Sequence, residues 1–307
     1  MIERITNKKS IQPPNLRYSV SSGVLDGRPV FIKTAIDPAL KAGIANEAAG
    51  LKAMRTLDPM QTHYSTPQVL CLTDDTIVTT WADGELMIKK LDQLTVTQYH
   101  HTLIELFLFL DGASPGSVGI TRYNRPNEEN NVEKTMKQLE GLHYEKHIDH
   151  NLVEKTAHYA LSHMTTIETR FTHGDLQPNN IIVTPKNQLW VIDCESCDKL
   201  WPRHYNLVNF VFNYGVHSDL WRKRSLMSAF DTYFAKLGIN PHTIIDQINF
   251  SAAMRCLQRI NEELGDHTEV GKGILPVHLH DYLVANMKLI TEGQLFVGVL
   301  SDSITRS

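Results

Sequence analysis

The segment from Phe171 to Glu195 most constrains what this chain can fold into. Ile181-Ile182-Val183 and Leu189-Trp190-Val191-Ile192 are two short apolar runs, and the turn-rich Thr184-Pro185-Lys186-Asn187-Gln188 separates them, so the spacing predicts a hairpin. His173, Asp175 and Asn180 precede the first run, and Asp193 and Glu195 follow the second. Pairing the runs returns Asn180 and Asp193 to the same end. A hairpin here therefore gathers an amide and up to three carboxylates into one small space.

Composition narrows the partners of such a site. A chain of 307 residues, 42% hydrophobic and 21% charged, is long enough for one large or two moderate domains with a self-sufficient core. Its formal net charge of −4 supplies no basic face of the kind nucleic acids require, so small molecules are the expected partners. The opening MIERITNKKS lacks the apolar core of a secretory signal, and runs such as Leu106 to Leu110 fall far short of a membrane span. A cytoplasmic protein is the expectation. Four cysteines, Cys71, Cys194, Cys197 and Cys256, are too scattered for a disulfide framework. Cys194 and Cys197 have CxxC spacing, but no second pair or histidine set accompanies them in sequence, so no metal site is assigned to them.

Ahead of the focal segment, Tyr18 to Thr34 reads as two strands around Asp26-Gly27, with Lys33 in or at the end of the second. Ser22 and Gly23, with Ser21, could offer hydroxyls and backbone N–H groups to phosphates, or simply form a turn. Asp37 and Pro38 mark a helix start, and Leu40, Ile44, Leu51 and Met54 form its apolar stripe. Glu47 falls on that stripe. A carboxylate facing a core needs a partner, and Lys33 is the candidate. Further strands are expected over 68–72 and 76–80, after which Trp81-Ala82-Asp83-Gly84 breaks the pattern.

Residues 1–82 thus read as a small β-rich lobe with one helix, and 83–307 as a mainly helical lobe. In that second lobe helices are expected from Thr95 or Thr97 to Leu110, within Val132 to Met164 with a break near Asp149, and over 204–216, 218–237, 241–264 and 276–292. A loop is expected from Gly112 to Asn131.

Two carboxylates and an amide at this density suit Mg²⁺, which takes oxygen ligands and bridges protein to substrate phosphates. Asn180 and Asp193 are the natural ligand pair, which leaves Asp175 to face an acceptor hydroxyl. Such an arrangement serves phosphoryl transfer. The stretch His173-Gly174-Asp175-Leu176-Gln177-Pro178-Asn179-Asn180, followed by Ile192-Asp193-Cys194-Glu195, resembles the HGDLHPGN and IDFE/IDWE signatures of the aminoglycoside phosphotransferase and choline kinase group. Lys33 on a strand and Glu47 on the next helix agree with it in order.

The resemblance implies an α+β, protein-kinase-like fold of two lobes. It implies that Lys33, held by Glu47, binds the α- and β-phosphates of ATP, and that Asn180 and Asp193 hold Mg²⁺. Thr79 to Ala82, including Thr80, would line the adenine site through backbone groups. His173 would support the loop, and Asp175 would orient the acceptor hydroxyl and take its proton late, because an aspartate of ordinary pKa, roughly 3.9, is a poor base for an alcohol. Glu195 could touch a metal-bound water or be purely structural. The chain departs from the pattern at Gln177, Asn179 and Asn206, the last where relatives carry a Tyr-Asp-Leu-Ala-like motif.

The implied activity is transfer of the γ-phosphate of ATP to a hydroxyl of a small molecule. A protein Ser/Thr kinase is the alternative within the enzyme class, although Gly174 stands where protein kinases commonly have Arg, and no APE follows. A catalytically silent nucleotide-binding module on the same fold is the alternative outside it. For the acceptor, Glu262, Glu263, Asp266 and Glu269 could meet a polycation or face water. Trp201, Tyr205, Tyr214 and Trp221 could form an aromatic cage for an ammonium group or pack between helices.

Overall fold

A computed structural model describes residues 2–11, 17–91, 97–112, 132–133, 135–140, 148–164, 167–197, 200–217, 232–265 and 277–295. The Thr95 cap, the expected loop over 113–131, most of the expected helix 218–237, and Trp221, Asp266 and Glu269 lie outside the described residues. The chain divides into two compact units, Met1–Thr121 with Phe171–Leu200, and Arg122–Arg170 with Trp201–Ser307.

The first unit is built on a five-stranded antiparallel sheet of order β1-β2-β3-β5-β4, with β1 Thr6–Ser10, β2 Tyr18–Leu25, β3 Arg28–Ala35, β4 Val69–Leu72 and β5 Thr76–Thr80. The hairpin expected around Asp26-Gly27 forms with Leu25 opposite Arg28, and both turn residues take positive φ, 51° and 76°. A type I′ turn demands this conformation, and Asp-Gly supplies it at low cost. Strand alternation then sorts β3: Val30 and Ile32 join Ile5, Leu25 and Val78 in a buried cluster, while Phe31 and Lys33 point to the other face. Strand β1 was not anticipated, because Thr6–Ser10 is an exposed, polar edge strand with no apolar alternation to reveal it.

Asp37 accepts the Ala39 N–H at 2.8 Å and opens a 3₁₀ turn, Pro38–Leu40, that runs into helix α1, Lys41–Leu57. Ile44, Glu47, Leu51 and Met54 are all buried on one face of α1, as the stripe requires. Gly50 lies on that face as well. A methyl group there would collide with the backbone carbonyl of Cys194, so glycine lets α1 pack directly against the segment that follows the focal hairpin.

After β6 (Glu85–Leu86), α2 (Met87–Leu91) and α3 (Thr97–Gly112), and after helix α4 (His150–His163) of the other unit, strand β7 (Thr169–Phe171) leads into the focal segment. Its hairpin, β8 Ile181–Val183 and β9 Leu189–Val191, pairs in the register Ile181 to Val191, and β6 adds a third strand beside β8. Ser65 brackets β9 by accepting from the Val191 N–H and donating to Leu189 O, both at 2.8 Å.

In the second unit, α4 packs with α6 (Ile245–Gly265) and α7 (Val277–Thr291), and α5 (Tyr205–His217) packs with α6, after the short strand β10 (Leu200–Pro202). Asp149 caps α4 by accepting the Asn151 N–H at 3.0 Å, so the expected break near Asp149 is a helix start. Ala157, Ala160, Ala252 and Ala253 are buried, and such small residues let helices approach closely. Trp201 and Tyr205 stack on each other with centroids 4.6 Å apart, and Asn206 is buried.

Candidate active site

The β8–β9 register sets the site. Because Ile181 faces Val191, Asn180 comes opposite Ile192, whose N–H donates to Asn180 O at 3.0 Å, and Asp193 follows at once. Asp193 takes a positive φ of 58°, a conformation that Asp tolerates better than most side chains. Gly174 sits at φ 79°, where glycine is favoured, and turns the chain immediately before Asp175.

Asp175 is held by two amides. Gln177 Nε2 and Asn180 Nδ2 each donate to its Oδ2 at 2.9 Å, and Asn180 Nδ2 also donates to Asp175 O at 2.8 Å. Giving its nitrogen to Asp175 places the Asn180 Oδ1 acceptor on the opposite side of the amide.

His173 is fully buried beneath this loop. Its Nδ1 accepts the Asp175 N–H at 3.3 Å, which makes Nε2 the protonated nitrogen, and Nε2 donates to Ile192 O at 3.0 Å. One imidazole thereby ties the chain before Asp175 to the chain before Asp193. The CxxC pair reinforces the tie. Cys194 Sγ lies 3.6 Å from His173 Nε2, and the Cys197 thiol donates to His173 O at 3.3 Å. Their ligand-type atoms lie within 4.8 Å of one another, a grouping that sequence spacing concealed because His173 is distant in the chain. Both ring nitrogens are nevertheless engaged by backbone, and burial pushes the Cys194 thiol well up, so this trio is a packing clip beneath the loop.

Lys33 and Glu47 complete the arrangement. Lys33 Nζ donates to Glu47 Oε2 at 2.7 Å and to Asp193 Oδ1 at 2.8 Å, and Glu195 Oε2 lies 3.8 Å away. Burial opposes the charge on Lys33, but Asp193 and Glu47 outweigh it and raise its pKa far above the ordinary lysine value. For Glu47, burial favours the neutral acid while the Lys33 ammonium opposes it.

A cavity of about 670 Å³ opens here, and Lys33, Glu47, Asn180, Asp193 and Glu195 line it beside Thr79, Thr80, Trp81 and Ala82. Phe31, Ile182 and Ile192 supply apolar walls. Ser22 and Gly23 are not brought to it. Both lie inside the paired strand β2, where Ser22 faces Phe31 across the ladder and Gly23 faces Val30. A methyl group at Gly23 would come within 2.5 Å of Ile5 Cγ2, so this glycine serves the core rather than the cavity. On β2 the cavity-lining residues are Tyr18 and Val20, just after Arg17, which the sequence reading did not single out.

Residues 15–243 match the model of the phosphotransferase enzyme family. The chain belongs to that family. No curated protein is matched. Among solved structures, the ternary complex of a thermostable mutant of aminoglycoside phosphotransferase APH(4)-Ia with ADP and hygromycin B is similar with a TM-score of 0.64, at 11% identity over 94% of each chain. The GDP and kanamycin complex of APH(2")-IIia gives 0.62 at 13% identity over 99% of this chain and 94% of that one. Macrolide 2'-phosphotransferase MphH from Brachybacterium faecium gives 0.57 at 15% identity over 91% and 90%. The phosphotransferase family member described here therefore has the α+β, protein-kinase-like fold of these enzymes. Among the described residues, no helix is long and apolar enough to cross a membrane.

Proposed function

We propose that this phosphotransferase moves the γ-phosphate of ATP to a hydroxyl group of a small molecule, with residues 1–82 as the nucleotide lobe and 83–307 carrying the loop and the acceptor site. The observation that carries this reading is the convergence of Lys33, Glu47, Asn180 and Asp193 on one cavity, with Asp175 bonded to Asn180 beside it.

An Mg²⁺ ion fits the residues present. Asn180 Oδ1 is turned away from Asp175, and the Asp193 side chain, 38% exposed, lines the same cavity, which gives an all-oxygen donor pair. When bound there with nucleotide, the ion supplies neutralisation of phosphate charge. Lys33 binds the α- and β-phosphates, and Glu47 keeps its ammonium aimed at them. Thr80 N–H already donates to Gln68 O and Trp81 N–H to Pro29 O, so contact with the base falls to Ala82 and the rest of the linker backbone. Asp175 orients the acceptor hydroxyl. As the new O–P bond forms and the β–γ bridging bond breaks, the hydroxyl proton passes to the Asp175 carboxylate and ADP leaves. His173 holds the loop and touches no reacting atom.

The acceptor is a polar alcohol such as an aminoglycoside, amino alcohol, sugar or vitamin-like alcohol. An ATP-consumption screen over these classes, with nucleosides added, tests the assignment. Turnover with one class is expected; no Mg-ATP-dependent thermal shift and no turnover with any of them would overturn it.

A further inference from the structure

The Lys33 ammonium has three N–H donors, and Glu47 and Asp193 take two of them. Beside the ammonium, the Tyr18 ring centroid lies 4.4 Å from Nζ, and Glu195 Oε2 stands at 3.8 Å, too far for a hydrogen bond. The Tyr18 hydroxyl donates to that same Oε2 at 3.2 Å. Arg17 approaches the other carboxylate oxygen at 3.5 Å.

The phenol is built into this place. Tyr18 is only 5% exposed. Gly43 of α1 is the residue beside its hydroxyl, where any side chain would collide with Tyr18 Oη and stand 3.3 Å from Glu195 Oε2. Strand β2, helix α1 and the segment after β9 are thus shaped around one hydroxyl, which apolar packing alone would not require.

We propose that Tyr18 is a positioning residue for nucleotide binding: its ring seats the Lys33 ammonium, and its hydroxyl restrains Glu195, so that the third N–H of Lys33 is left to a nucleotide phosphate. This rests on the nucleotide reading above. Without the hydroxyl, Glu195 is released to move the short distance onto Lys33, where its charge competes with phosphate.

The test is ATP affinity, measured calorimetrically in Mg²⁺ without acceptor, for wild type, Tyr18→Phe, Tyr18→Leu and the pair Tyr18→Phe with Glu195→Gln. Tyr18→Phe is expected to weaken binding about tenfold, Tyr18→Leu further, and the pair to recover to within about threefold of wild type, because the amide carries no competing charge. A merely structural tyrosine would lose stability with no rescue by Glu195→Gln. Unchanged affinity in Tyr18→Phe, or a loss the pair does not recover, overturns the proposal. A second reading needs no nucleotide, namely the ¹H–¹⁵Nζ resonance of Lys33. It is expected to move in Tyr18→Phe and return in the pair. An unmoved resonance overturns the positioning role whether or not ATP binds, whereas a moved resonance in a protein that binds no ATP supports that role and overturns the nucleotide reading instead.

Discussion

The ammonium of Lys33 and the carboxylate of Asp193, 160 positions apart in sequence, meet at 2.8 Å. Strand β3 brings the first and the β8–β9 hairpin the second, so the contact spans two separate sheets of one unit. It also brings Asp193 Oδ1 to the cation that phosphates would compete for. Phosphate binding and release of Asp193 toward a metal would then be one coupled rearrangement.

Glu47 is the second carboxylate on the Lys33 ammonium, at 2.7 Å, and would hold it were Asp193 drawn away. Both side chains of this pair are below 10% exposed, at 9% and 7%. Glu47→Ala is expected to lower unfolding free energy by about 3 kcal/mol, the low end for a broken buried pair because Asp193 still partners Lys33. Urea unfolding checks this, and an unchanged midpoint would show that the pair contributes nothing.

Stability should respond to pH at both extremes for identifiable reasons. Lys33 is raised above its ordinary 10.5, so its contribution is complete below pH 10.5 and is lost as pH rises from there through the folded-state value. Asp58 behaves in the opposite sense. Burial works against its charge, but the N–H groups of His63, Thr62 and Tyr64 hold its pKa below the ordinary 3.8. Its contribution is therefore complete above pH 3.8 and lost as pH falls through the folded-state value. Thermal unfolding across pH should show a shallower alkaline decline in Lys33→Met and a shallower acid decline in Asp58→Ala than in wild type.

Gly50 fixes how closely α1 can approach Cys194, the neighbour of Asp193. Gly50→Ala forces a methyl group into the Cys194 carbonyl, and overpacking of this kind typically costs about 1–3 kcal/mol, more than the gain in helix propensity. Because the displaced partner adjoins Asp193, weakened Mg²⁺-dependent nucleotide binding should accompany the lost stability. Calorimetry on the folded variant reads the two separately.

Gln177 Nε2 donates to Asp175 Oδ2 at 2.9 Å, one of the two amide bonds that hold this carboxylate. Gln177→Ala leaves Asp175 to Asn180 alone. Turnover number is expected to fall about tenfold with the KM for ATP little changed, since the lost bond orients the acceptor side of the reaction. A rise in KM with unchanged turnover number would contradict that role.

Much of this arrangement was legible in the residues. The apolar runs flanking 184–188 specified the hairpin, and its two-residue periodicity alone brought Asn180 to Asp193. The helical spacing of Ile44, Glu47, Leu51 and Met54 required a buried partner for Glu47, and Lys33 is there. What escaped was carried by contacts distant in sequence. The polar edge strand Thr6–Ser10 shows no periodicity, because both of its faces are exposed. With that strand unseen, Ser22 and Gly23 looked like a turn beside phosphates rather than the middle of a ladder. The place of Cys194 and Cys197 under His173 depends on a loop closing over itself, and the place of Tyr18 over Lys33 depends on the β2–β3 register, in which Val20 faces Lys33 and Tyr18 lies diagonal to it. Neither leaves a mark on local composition.

The central claim is tested most directly by following labelled γ-phosphate from ATP to the acceptor identified in the screen, with and without Mg²⁺, in wild type, Asp175→Asn and Asp193→Ala, each shown to be folded. Wild type should transfer phosphate only with Mg²⁺, Asp193→Ala should transfer none, and Asp175→Asn should be slower by about 10²-fold or more. Undiminished turnover in either variant would contradict the account.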